Sequence, residues 1–66
     1  MIYSFDNTKE YLGQLVEITY TSRKTYENVL TAHVIACTNQ YIIININGKE
    51  MECIIKYSQI KNIKKL

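Results

Sequence analysis

The chain predicts an all-β fold, a five-stranded and strongly bent small barrel preceded by a short helix. Three observations carry this reading. Val16, Ile18 and Tyr20 alternate with Glu17, Thr19 and Thr21, the period of two that a half-buried strand requires. Asn47-Gly48 separates two apolar-rich runs and is a favoured pair for a two-residue hairpin turn, which needs positive φ at both positions. Tyr57-Ser58-Gln59 then breaks the pattern before Ile60 and Ile63.

The elements follow in order. Asn7 and Glu10 fit the first and fourth positions of a capping box, and Gly13 supplies a stop, so a helix is expected over residues 8–12. So short a helix persists only when packed, and Tyr11 and Leu12 are the side chains to pack it. A strand runs from residue 14, and the polar residues 22–25 read as a loop. The second strand starts at residue 26 or 28 and ends at 37. One of its faces carries Leu30, Ala32, Val34 and Ala36, and the other Val29, His33, Ile35 and Cys37. Two partly apolar faces predict a bent strand that buries one face early and the other late, as small barrels need. Folding at Asn47-Gly48 opposes Ile44 with Met51 and Ile42 with Cys53. That register puts Ile42, Ile44, Met51, Cys53 and Ile55 on the core face. Ile43 and Ile54 then fall on the outer face as candidates for an interface, although Ile43 is equally placed to lie under the N-terminal helix. After the break at residues 57–59, Ile60 and Ile63 stand three apart, as expected for a 3₁₀ turn leading into a last short strand.

Sixty-six residues make one domain, divided into a helical segment 1–13, a barrel 14–63 and a basic tail 64–66. A domain of this size buries only about 60% of the surface its unfolded chain exposes, so its core is marginal. The hydrophobic content of 47%, with two glycines and no proline, argues against disorder. No apolar run approaches a membrane span and no signal-peptide pattern opens the chain, so a cytoplasmic protein with free thiols is expected.

Gly13-x-x-Val16-x-Ile18, Asn39-Gln40 with the apolar run that follows, and the Ile60-x-x-Ile63 closure resemble the corresponding segments of Sm-like and SH3-like small barrels. The resemblance implies that barrel fold. It also implies ring assembly, the fourth strand (residues 51–56) pairing with the next subunit's fifth strand (59–63). The pattern departs at three places. Thr31 and Ala32 occupy the region of the usual glycine in the bent strand, and Asn39 stands where an Asp is usual. Tyr57 and Ser58 replace the Lys-His pair with which the Hfq branch of RNA chaperones binds uridine. A second resemblance, through the Val16-x-Ile18-Thr19-Tyr20 strand, is to YolD-like proteins of low-GC Gram-positive bacteria and their phages, which are associated with DNA-damage-inducible polymerase operons.

Catalysis finds little support. His33 is the single histidine and has no nucleophile motif beside it. Cys37, Cys53 and His33 lack metal-site spacing, and no glycine-rich phosphate loop exists, so neither metal nor cofactor is expected. The formal charge of +2 does not by itself mark a nucleic-acid binder. The candidate residues for RNA or DNA are Arg23, Lys24 and Tyr26 in the first loop, Lys56 and Tyr57 at the break, and Lys61, Lys64 and Lys65 near the end, a basic and aromatic mixture able to meet phosphate and stack bases. The expected function is a non-enzymatic bacterial or phage accessory module that binds a macromolecule, nucleic acid ranking slightly ahead of protein. The competing expectation is self-assembly or protein pairing through an exposed strand edge.

Overall fold

The computed structural model describes residues 2–23 and 26–66, without the side chain of Arg23. It comprises α1 (Phe5–Thr8), a 3₁₀ turn (Lys9–Tyr11), β1 (Leu15–Arg23), β2 (Tyr26–Cys37), β3 (Tyr41–Ile46), β4 (Glu52–Lys56), a second 3₁₀ turn (Tyr57–Gln59) and β5 (Ile60–Lys65). The strands form one antiparallel sheet in the order β4-β3-β2-β1-β5. The expected β-rich architecture with a short N-terminal helix is therefore present. Hydrogen bonding does not close the sheet, and β4 and β5 are its two edges.

The helix starts earlier than the capping pattern suggests. Ser4 is the N-cap, and its N–H donates to Asn7 Oδ1 at 2.8 Å, so Asn7 occupies the fourth position of the box and not the first. Tyr11 falls in the 3₁₀ turn, and Gly13 ends the segment at φ +77°, the left-handed stop a glycine tolerates. The first strand is also longer than expected. β1 continues to Arg23, which pairs with Tyr26, so Ser22 and Arg23 of the expected loop belong to the strand, and residues 24–25 lie outside the described residues.

The core draws on every strand: Val16 and Ile18, Ala32 and Val34, Ile42 and Ile44, Ile55, then Ile60 and Ile63, all buried. Among the described residues the N-terminal segment adds Tyr3 and Thr8 to the buried set. The buried strand residues share the inner face of the sheet, and the smallest dimension of the fold is 19 Å.

Register shifts interrupt three strand pairs, one beside Ser22 near the β1–β2 turn and two, at Ile35 and Lys61, that decide which residues face the core. The β2–β3 register shifts between Val34 and Ala36, so inward residues are even-numbered as far as Val34 and Cys37 is inward thereafter, opposite buried Ile42. The expected switch of buried face along β2 is realised at that point. It also places His33 outward and Cys37 inward, correcting the expectation that they share a face. The second bulge lies in β5, where Ile63 opposes Ile18 and Ile60 opposes Tyr20 with Lys61 unpaired between them. That extra residue lets two isoleucines three apart both point inward.

The β3–β4 hairpin departs from the expected turn. Ile44 opposes Cys53 and Ile42 opposes Ile55, a slip of two residues from the expected pairing. No non-glycine residue among the described ones has positive φ, so Asn47 does not occupy a type I′ turn. Instead Lys49 N–H donates to Ile46 O at 3.0 Å with Gly48 at φ +81°, as a type II turn requires. A slip of two preserves side-chain parity, which is why the core assignment of Ile42, Ile44, Cys53 and Ile55 stands. Met51 does not join them and is 53% exposed at the loop. Nothing lies within 4 Å of a Cβ built on Gly48, so the cost of Gly48→Ala is conformational. This substitution is expected to lower unfolding free energy by about 1 kcal/mol, measured by urea titration.

Candidate functional site: the β4 edge and its outer face

The residues singled out from the sequence do not converge on one surface. Lys24 and the side chain of Arg23 lie outside the described residues. Tyr26 is 67% exposed at the start of β2. Lys61 is engaged with Glu27 at 3.5 Å, and the Lys65 ammonium lies 5.8 Å from the centroid of the Tyr11 ring. Lys64 sits opposite Glu17 in the β1–β5 register. Lys64 and Lys65 are thus strand residues and not a tail. Lys56 is exposed at the end of β4.

Tyr57 requires correction as a base-stacking candidate. Its side chain is 9% exposed and belongs to the core. Its hydroxyl donates to Thr38 O at 2.6 Å and lies 3.1 Å from Thr8 Oγ1, which is itself 2.6 Å from Ser4 O. Two hydroxyl protons serve these three short contacts. They join α1, the β2–β3 connection and the turn after β4 at one buried point. Cys37 Sγ adds a 3.7 Å contact to Thr8 O. Burial pushes both the Tyr57 phenol and the Cys37 thiol above their ordinary values, the contacts to Thr8 opposing in part. Nothing in a bare sequence marks Thr8 as the centre of this network.

The outer face is more distinctive. Ile43 and Ile54 oppose each other across β3 and β4, and Ala36 continues the row onto β2 beside the bulged Ile35. Ile54 is 61% and Ile35 42% exposed, and Ile43 is half-buried. The N-terminal segment touches Tyr57, Cys37 and Ile63, all core-facing groups, so it does not cover this outer row.

Backbone polarity makes β4 an open edge. Ile46 N–H donates to Met51 O and Tyr57 N–H to Gln40 O. Alternation then makes 44/53 and 42/55 the hydrogen-bonded pairs and 45/52, 43/54 and 41/56 the others. The N–H and C=O groups of Glu52, Ile54 and Lys56 therefore point away from β3. Gln59 Oε1 accepts the Lys56 N–H at 3.1 Å, as this polarity requires. No side chain among the described residues bonds to the backbone of Ile54. The β5 edge differs, since the outward N–H of Ile63 donates to Tyr3 Oη at 3.1 Å. Sequence reasoning found Ile54 and missed Gln59 and Glu52. The parity of Glu52, Ile54 and Lys56 was the signal available for them.

No family model, curated protein or solved structure matches the chain.

Removing the Tyr57 hydroxyl leaves the part-buried Thr38 carbonyl without its donor, while the Thr8 hydroxyl keeps only Ser4 O. Tyr57→Phe is therefore expected to cost about 1–2 kcal/mol in denaturant titrations at neutral pH. Because the folded-state values of Tyr57 and Cys37 are raised, their contribution is complete below the ordinary thiol value of 9.0 and is lost as pH rises through the folded values. The wild-type unfolding midpoint is expected to fall in alkaline titration, and that of Tyr57→Phe to fall less.

Proposed function

We propose that this protein is a non-enzymatic association module, a small barrel of the Sm-like or SH3-like type opened between β4 and β5, that pairs with protein strands through β4. The observation that carries this reading is Ile54, whose side chain is 61% exposed and whose backbone groups face outward from an edge strand. Unpaired edge groups beside an apolar row suit strand addition, the backbone supplying affinity and alternate side chains specificity. No cavity forms among the described residues, which favours a macromolecule over a small ligand. No described helix is long and apolar enough to cross a membrane.

Panning a displayed library of random peptides against the whole protein tests this reading. It is expected to enrich extended sequences of alternating apolar pattern that shift the amide resonances of Glu52–Lys56 and lose binding with Ile54→Lys. Failure to enrich such peptides, or binding indifferent to Ile54→Lys, overturns the reading.

Binding of RNA or DNA is a second reading, favoured by the exposed ring of Tyr26, which pairs in register with Arg23. It ranks below the first because Tyr57 is buried and Lys61 is already ion-paired. Fluorescence anisotropy with single-stranded and duplex oligonucleotides at low salt is expected to show binding that weakens as salt rises. Absence of binding ends this second reading.

A further inference from the structure

The β4 edge carries opposite charges at equal distances from its centre, so an antiparallel copy of the same strand sets each charge against its opposite. Glu52, Ile54 and Lys56 share the outer face and the outward backbone polarity, with Cys53 and Ile55 between them on the inner face. We propose that the occupant of this edge is a second copy of the chain, its β4 antiparallel to the first and related by a two-fold axis through Ile54. The proposal rests on the edge reading above and names its partner.

The register follows from parity. An antiparallel pair centred on Ile54 sets Ile54 against Ile54 of the partner subunit, Glu52 against Lys56 of the partner subunit, and Lys56 against Glu52 of the partner subunit. All three are hydrogen-bonded positions, and Glu52, Ile54 and Lys56 are the residues whose backbone groups point outward, so the ladder keeps its parity, complete at Ile54 and short of the Lys56 N–H bond at each end. Opposite charges fall opposite one another twice. The lysine N–H already held by Gln59 stays with Gln59. The two Ile54 N–H groups and the two Glu52 N–H groups then donate across the interface. On the outer face the Ile43–Ile54 row of one copy meets that of the other, giving one apolar strip across the junction. A shift by one residue would set outward groups against inward ones, and a shift by two would oppose Ile54 to a charged residue.

The opposite edge explains why the product is a closed pair. A head-to-tail joint of β4 to β5 would have to displace the Tyr3 hydroxyl from Ile63 N–H and accommodate the bulge at Lys61. The two-fold joint consumes both β4 edges and leaves the guarded β5 edges outermost, the closure an isologous interface provides. A joint of five residues per strand is small, so the dimer belongs to the weak class and forms at high micromolar concentration.

The test is the concentration dependence of mass by light scattering after size exclusion, up to about 1 mM protein. A monomer–dimer equilibrium is expected. Ile54 is largely exposed, so Ile54→Lys should fold normally, confirmed by its circular dichroism, and remain monomeric. Glu52→Lys and Lys56→Glu should each weaken dimerisation by about tenfold, because each creates two like-charged pairs. The double variant Glu52→Lys/Lys56→Glu should recover the wild-type constant, which only this register predicts. A strict monomer over the whole range overturns the proposal, as does a dimer insensitive to Ile54→Lys or a double variant no better than the singles. If the protein is monomeric yet still selects peptides at Glu52–Lys56, self-pairing fails while the edge reading stands. If neither occurs, both fail.

Discussion

The contact of Thr8 with the Tyr57 hydroxyl, and of that hydroxyl with Thr38 O, is the interaction on which the arrangement most depends. It joins three parts of the chain that share no regular secondary structure: the helix, the connection between β2 and β3, and the turn after β4. The five strands alone supply one open antiparallel sheet. A four-residue helix has almost no stability of its own, so its position comes from Thr8 and from Tyr3, whose hydroxyl accepts Ile63 N–H at the other edge. Both anchors are hydroxyls meeting backbone groups or one another. The small core thus gains its lid by directional bonds more than by added apolar area, which suits a chain with little area to bury.

The strands were legible in the sequence because parity is robust. Ile42, Ile44, Cys53 and Ile55 point inward under either hairpin register, since the expected and observed pairings differ by two residues. Turn chemistry was less legible. Asn-Gly suits a type I′ turn, yet Gly48 alone takes positive φ and the loop is longer. The helix start was displaced because Asn7 serves equally well as the first or fourth residue of a capping box, and Ser4 takes the first place. β2 was read as changing its buried face, but the residue at which it does so depends on the partner strand's register.

The candidate site was legible only in part, and for a related reason. Exposure of Ile54 follows from its parity, whereas the openness of β4 depends on strand order. Strand order arises from long-range pairing that no local pattern encodes. Tyr57 illustrates the converse, since a tyrosine beside a lysine at a break invites a ligand reading until its burial is known. The lysines of β5 lose their appearance of a free basic cluster once Glu27, Glu17 and Tyr11 are placed beside them.

The bulges at Ile35 and Lys61 carry a consequence for how such a chain tolerates change in length. Each is one residue that restores phase between two stretches of opposite parity. Deleting Ile35 would remove the bulge yet keep Ala36 opposite Ile43 and Cys37 opposite Ile42, whereas deleting a paired neighbour would turn one flank of the strand over. Length along β2 and β5 is therefore constrained at the paired residues and freer at those two bulges, as it is in the hairpin loop.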